Sequence, residues 1–146
     1  MKHEFGTIKV NAEIQDKPKT RIHCFRDITQ KYETLGEKQK EHAYAVFLQN
    51  DNQEIGDKLI GLGGRDCIQI DIQDIVRTAA LVNAAAVILI HNHPSGNPGP
   101  TQEDIETTRK IYDALDIIGV QLLDHVIITR NHNYSMKGEQ DGPFQS

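Results

Sequence analysis

Tryptophan is absent from this chain of 146 residues, and aromatic residues make up only 5% of it. A hydrophobic core must therefore rest on Ile, Leu, Val and Ala. Cysteine is almost as scarce: Cys24 and Cys67 stand alone, with no CxxC pair and no evenly spaced framework. That excludes a disulfide-stapled scaffold, and two isolated thiols suit a cytoplasmic protein. No apolar run is long enough to span a bilayer, and the start, Met1 to Phe5, has no signal-like apolar stretch, so no membrane partner is expected. A long Lys/Arg block is missing too. With 16 basic against 21 acidic side chains the net charge is -5, which argues against a free-standing nucleic-acid binder.

What is present is ordinary globular material, 38% hydrophobic and 25% charged, long enough for one domain with one core. Residues 1–20 alternate weakly through Ile8, Val10, Ala12 and Ile14, as in a strand or arm. Residues 24–35 suit a short helix stopped by Gly36. The pattern then predicts strands over Glu41–Gln49 and Glu54–Leu62, paired as a hairpin around the turn cluster Asn50-Asp51-Asn52. After a bend at Gly61, Gly63 and Gly64, helical periodicity covers Ile70–Val82. An apolar strand over 85–90, a helix from Thr101 to about Asp116, a strand over Val120–Thr129 and a short last strand follow. Gly119 falls where a helix C-terminus favours glycine. The polar stretch Gly138–Ser146 reads as a loose tail. Strands and helices thus alternate around one sheet, an α/β or α+β layered domain.

The apolar run Ala84–Ile90 ends in His91-Asn92-His93-Pro94. In a strand, residues i and i+2 share a face, so His91 and His93 project side by side while Asn92 points away. Pro94 ends the strand. A turn could hold either histidine for no chemical purpose, but two at this spacing make a rigid pair of imidazole ligands. With the carboxylate of Asp104 they would give tetrahedral zinc three protein ligands and one open position. Asp104 has a second reading, since Thr101-Gln102-Glu103-Asp104 looks like a helix capping box. Metal-assisted hydrolysis also needs a non-ligand base. Glu41, Glu54 and Asp74 compete for that role, and Glu41 could equally be a solvated strand-end charge. His125, after Asp124, reads as a packing residue in an Asp-His hydrogen bond. His3, His23, His42 and His132 read as surface residues, and Ser95 as part of a turn.

His91-x-His93-Pro94, six residues, then Thr101-x-x-Asp104 resembles the JAMM motif of the JAB1/MPN+ metalloproteases. His91-Asn92-His93-Pro94-Ser95-Gly96, together with Asn83-Ala84-Ala85-Ala86, Asp104-Ile105 with Thr107 or Thr108, Leu122-Leu123-Asp124-His125-Val126-Ile127 and Tyr134-Ser135, is similar to the RadC-like branch in particular. The likeness covers residues 41–136, with 1–40 as an N-terminal extension and 137–146 as a tail. It implies a single three-layer, cytidine-deaminase-like α/β domain with a mixed central sheet flanked by helices. It also implies Zn2+ held by His91, His93 and Asp104, Glu41 as proton carrier, and Thr101 in the place of a serine that stabilises an oxyanion. The implied activity is cleavage of an amide or isopeptide bond in an unidentified peptide or protein.

Three departures accompany the resemblance. Thr101 adds a methyl to the motif hydroxyl. Asp71-Ile72-Gln73-Asp74 stands where the RadC pattern has His-Pro-Arg-Glu. The first 40 residues are too short for the helix-hairpin-helix region of such proteins, leaving the JAB domain nearly alone. A DNA-repair-associated accessory or binding module, which the family association suggests but the charge does not, and a catalytically silent scaffold are the alternatives. Pairing with a second copy is compatible with the family. An HNH nuclease is not implied, because its three residues lie far apart on a ββα-metal unit. A nucleoside deaminase is disfavoured by the missing His-x-Glu and Pro-Cys-x-x-Cys signature.

Overall fold

A strand as apolar as Ala84–Ile90 needs cover on both faces, and the computed structural model, which describes residues 11–16, 20–64 and 68–145, gives it that cover. A short strand β1 (Gln15–Asp16) precedes helix α1 (Phe25–Lys31), a 3-10 turn (Glu33–Glu37) and the hairpin of β2 (His42–Leu48) and β3 (Glu54–Gly63). Then come β4 (Ile68–Ile70), helix α2 (Ile72–Leu81), β5 (Ala86–Asn92), helix α3 (Gln102–Ile117), β6 (Gln121–Ile128) and β7 (Asn133–Ser135). A second 3-10 turn, Gly142–Phe144, closes the described chain.

The described strands form one sheet in the order β1-β3-β2-β5-β6-β7, with β4 also on β3. Every pairing is antiparallel except β5 with β6, which run parallel. A parallel pair needs a crossover longer than a turn, and α3 supplies it. The sheet is therefore mixed, and every residue of its central strand β5 is buried.

Alternation sorts the strand residues between two layers. Ala43, Ala45 and Phe47 of β2, with Val87 and Leu89 of β5, pack against Ile75 and Ala79 of α2 and Ile111 and Leu115 of α3. Val46 and Leu48, with Ile88 and Ile90, face Ile28 of α1 and Tyr32 and Leu35 beyond it. Each fully buried Leu, Ile or Phe contributes about 1.5–3 kcal/mol, so both faces hold the sheet in place. The result is a single three-layer α/β domain.

Several expected boundaries shift for physical reasons. The helix expected over 24–35 ends at Lys31, and Gly36 lies inside the following 3-10 turn instead of stopping the helix. Gly36 is needed for close approach, since a Cβ there would sit 2.9 Å from the backbone oxygen of Thr129. The helix expected from Ile70 starts at Ile72, because Ile68–Ile70 pairs with β3 and Asp71 caps the helix by accepting the Asp74 amide hydrogen at 3.0 Å. The inward stripe of α3 is Asp104, Thr108, Ile111 and Leu115. The C-terminal stretch is not loose up to Gln145. The Asp141 amide bonds the Met136 carbonyl, Tyr134 bonds the Asp141 carboxylate, and Phe144 stacks edge-on against Tyr112. The expected alternation at Ile8 and Val10, His3, and Cys67 lie outside the described residues, whereas Cys24 is an exposed free thiol.

Candidate metal centre

Register carries the site. Val87 and Leu89 face the α2/α3 layer, so by the period of two His91 and then His93 turn to that side as well. Ala43 of β2 lies opposite His91 in the antiparallel β2–β5 ladder. Glu41 just before β2 and His93 just after β5 continue beyond that pair, and their side chains approach each other. Asp104 arrives from the first turn of α3.

The four side chains meet in a buried cluster. His91 is fully buried, and His93, Glu41 and Asp104 are each below one-tenth exposed. His91 Nε2 and His93 Nε2 are 2.8 Å apart. Asp104 offers Oδ2 at 3.0 Å from His93 Nε2 and Oδ1 at 3.5 Å from His91 Nε2. Glu41 Oε1 is 3.9 Å from His93 Nε2, and one donor atom each from Glu41, His91 and His93 fall within 4.8 Å of one another. Two carboxylates thus flank the imidazole pair, with Asp104 the nearer. Glu54, buried against Lys31, and Asp74, paired with Lys58 at 2.9 Å and Arg77 at 3.1 Å, lie elsewhere.

The donor set fits a divalent cation. His93 Nδ1 faces the Asn97 carbonyl at 2.8 Å; a carbonyl only accepts, so Nδ1 carries a hydrogen, and Nε2 is the ring nitrogen that faces His91 and Asp104. Two neutral imidazole lone pairs 2.8 Å apart repel unless a proton or a cation lies between them. Two imidazoles and a carboxylate are the donors zinc prefers in sites with an open position.

Electrostatics set the two imidazoles apart. Burial pushes the His91 imidazole below its ordinary range, and the Asp104 carboxylate only partly offsets it. At His93 burial acts in the same direction, but Asp104, the Asn97 carbonyl and Glu41 outweigh it and raise the imidazole. Burial alone would raise Asp104 also. The two imidazoles facing it and the Thr101 amide instead hold its carboxyl far below the usual carboxylate range.

Thr101 is the N-cap of α3. Its Oγ1 accepts the Asp104 amide hydrogen at 3.0 Å, and its own amide donates to Asp104 Oδ2 at 2.9 Å. The capping box is therefore complete, and the same carboxylate also faces both imidazoles. Glu41, His93, Thr101 and the Pro94–Gly99 loop line a cleft of about 160 Å³ over the cluster. A larger cavity of about 460 Å³ lies at α1, between Phe25, Ile28, Leu123 and Val126, with none of the four donors on it.

Two residues behind the site were given no part in it by the sequence reading. His125 is buried, and its ring reaches His91 Nδ1 at 2.7 Å and Thr108 Oγ1 at 2.6 Å. The Asp-His hydrogen bond expected in packing runs from the His125 backbone amide to Asp124 Oδ1, not from the ring. Burial holds the His125 imidazole well below its ordinary range, with His91 adding to the effect. The signal for Thr108 was its place four residues after Asp104, one turn along the same helix face.

A family model described as RadC-like JAB domain matches residues 22–141. The chain belongs to the RadC-like JAB domain family. Its match takes in α1, which covers one face of the sheet, as well as the strands that carry the histidines. Among curated relatives of this RadC-like JAB domain, a UPF0758 protein of Carboxydothermus hydrogenoformans is 40% identical over 106 residues, covering 73% of this chain and 47% of the relative. One from Methanococcoides burtonii is 36% identical over 125 residues, 85% of this chain and 55% of the relative. Another, from Listeria welshimeri, is 39% identical over 98 residues, 67% and 44%. The chain spans about half the length of these relatives. No helix among the described residues is long and apolar enough to cross a membrane.

Proposed function

We propose that this RadC-like JAB domain is a zinc-dependent hydrolase of the JAMM type, acting on an amide or isopeptide bond of a peptide or protein. The observation that carries the reading is the convergence of His91 Nε2, His93 Nε2 and the Asp104 carboxylate within 3.5 Å of one another, with a second buried carboxylate, Glu41, beside them. His91, His93 and Asp104 hold the ion. Bound zinc supplies a Lewis acid for the substrate carbonyl and lowers the pKa of water to about 7. Glu41, further from the imidazoles than Asp104, takes the proton of the attacking water on Oε1 and delivers it to the leaving amine. Thr101 Oγ1 accepts the Asp104 amide hydrogen, which leaves its hydroxyl proton to donate to a developing oxyanion.

The cleft size bears on the substrate. About 160 Å³ is below the roughly 300–1,000 Å³ of pockets that enclose drug-sized ligands. A peptide chain, whose bulk stays outside while one bond enters, suits it better than a compact metabolite.

The test is turnover by zinc-loaded, tag-free protein on a mixed peptide library and isopeptide-linked conjugates, read by mass spectrometry. Wild type should cleave, while Glu41→Gln should keep its zinc and lose about 10²- to 10⁴-fold in rate. Full zinc occupancy with no cleavage of either class by wild type contradicts the hydrolase reading.

A further inference from the structure

Behind His91, on the side away from the cleft, three buried hydrogen bonds run in series. His91 Nδ1 meets His125 Nε2 at 2.7 Å, and His125 Nδ1 meets Thr108 Oγ1 at 2.6 Å. Thr108 Oγ1 in turn meets the Asp104 backbone oxygen at 2.6 Å. His91, His125 and Thr108 are each at most 1% exposed, so water does not supply alternative partners. The series begins at the ring of one metal-site residue and ends on the backbone of another.

Its direction is fixed from the far end. A carbonyl oxygen only accepts, so the 2.6 Å contact requires the Thr108 hydroxyl proton to point at Asp104. The sulfur of Met136, 3.7 Å from Oγ1, is a far weaker competitor. Thr108 has a single proton, and once it is committed Oγ1 can only accept from His125 Nδ1–H. A neutral His125 then presents a bare Nε2, which must accept from His91 Nδ1–H. His91 is left with no hydrogen on Nε2, the atom that faces His93 and Asp104. The opposite assignment would put two oxygen lone pairs 2.6 Å apart with no proton between them.

We propose that His125 and Thr108 are positioning residues that lock His91 in its Nδ1–H tautomer, presenting Nε2 as a ready-made ligand atom, and that they couple its ring to the helix turn carrying Asp104. Outer partners of ligating histidines fix tautomer and ring orientation, and their loss typically costs ten- to a hundredfold in metal affinity. The usual partner is a carboxylate, carbonyl or water. Here it is a second imidazole, which can accept only because Thr108 dictates its tautomer. The purpose of the relay rests on the metal-site reading above, but the tautomers belong to the metal-free chain.

The experiment is long-range ¹H–¹⁵N correlation on the full, ¹⁵N-labelled chain stripped of metal by a chelator. Neutral His91 and His125 should both carry hydrogen on Nδ1; hydrogen on Nε2 of either ring overturns the proposal, and wild-type protein alone suffices for this measurement. Zinc affinity, measured by competition with a chromophoric chelator, gives the second readout. Thr108→Val and His125→Leu should weaken zinc about ten- to a hundredfold. Thr108→Ser and His125→Gln, which keep the hydroxyl and an acceptor for His91, should recover most of it. Unchanged affinity in folded Thr108→Val and His125→Leu overturns the positioning role. Wild type with the expected tautomers but no zinc binding removes the metal reading and keeps the relay. Zinc binding with His91 protonated on Nε2 in the metal-free protein does the reverse.

Discussion

Asn92 Oδ1 accepts the backbone N–H of His42 at 2.7 Å, and its Nδ2 donates to the Lys40 carbonyl at 3.0 Å. The residue between the two histidines thus points away from the site and grips the chain on both sides of Glu41. One strand end carries the imidazoles on one face and the clamp for the proposed base on the other. Asn92→Ala would remove the partner of the partly buried His42 amide and one of those of the Lys40 carbonyl, and should destabilise the domain by about 1–2 kcal/mol. Denaturant titration should show that loss, and the zinc-loaded variant should lose turnover more than zinc affinity. Wild-type stability in the variant would mean that Asn92 does not act as a clamp.

Thr101 joins the cap of α3 to the carboxylate that faces the histidines. Thr101→Ala removes the acceptor for the Asp104 amide and should cost about 1 kcal/mol, with a parallel loss of zinc affinity as the helix turn loosens. Thr101→Ser keeps the oxygen and should restore both. Thermal melts with and without zinc separate the two effects, and a Thr101→Ala protein matching wild type in both contradicts the coupling.

Zinc affinity should rise with pH. Burial acts against the charged imidazole of His93, yet Asp104, Asn97 and Glu41 raise it above the ordinary value near 6.5. A cation must displace that proton. Because the ligand's folded-state pKa is raised, proton competition persists to higher pH than at a free imidazole and fades only above the raised value. Asp104, held ionised far into acid, adds no competition near neutrality. Chelator competition between about pH 6 and 9 should show affinity climbing through this range; a flat profile would be inconsistent with His93 as a ligand.

Gly36 tests the packing of the 3-10 turn on β6. A Cβ there meets the backbone of Thr129 at 2.9 Å, and backbone yields less readily than a side-chain tip. Gly36→Ala should destabilise by about 1–3 kcal/mol, read from the denaturation midpoint. A neutral outcome would mean the turn can move off the sheet at no cost.

What the sequence made legible was local. The apolar run Ala84–Ile90 announced a central strand, and the i, i+2 spacing put His91 and His93 on one face. Thr101 to Asp104 announced a helix start, and the structure adds that cap and site share one carboxylate. What was not legible depended on partners distant in the chain. Glu41 meets His93 only through the β2–β5 register, which no local pattern encodes, and family resemblance alone singled it out. His125 and Thr108 meet only because α3 crosses between the parallel strands β5 and β6. The C-terminal stretch looked loose by composition, but Phe144 packs edge-on against Tyr112 of α3.

Every functional step proposed for this domain depends on His91, His93 and Asp104 forming one cation site. Elemental analysis of tag-free protein, reconstituted with zinc and freed of excess, should be run alongside His93→Ala. About one zinc per wild-type chain and essentially none in a folded His93→Ala variant are expected. Full zinc in His93→Ala, or none in wild type, would contradict the shared site.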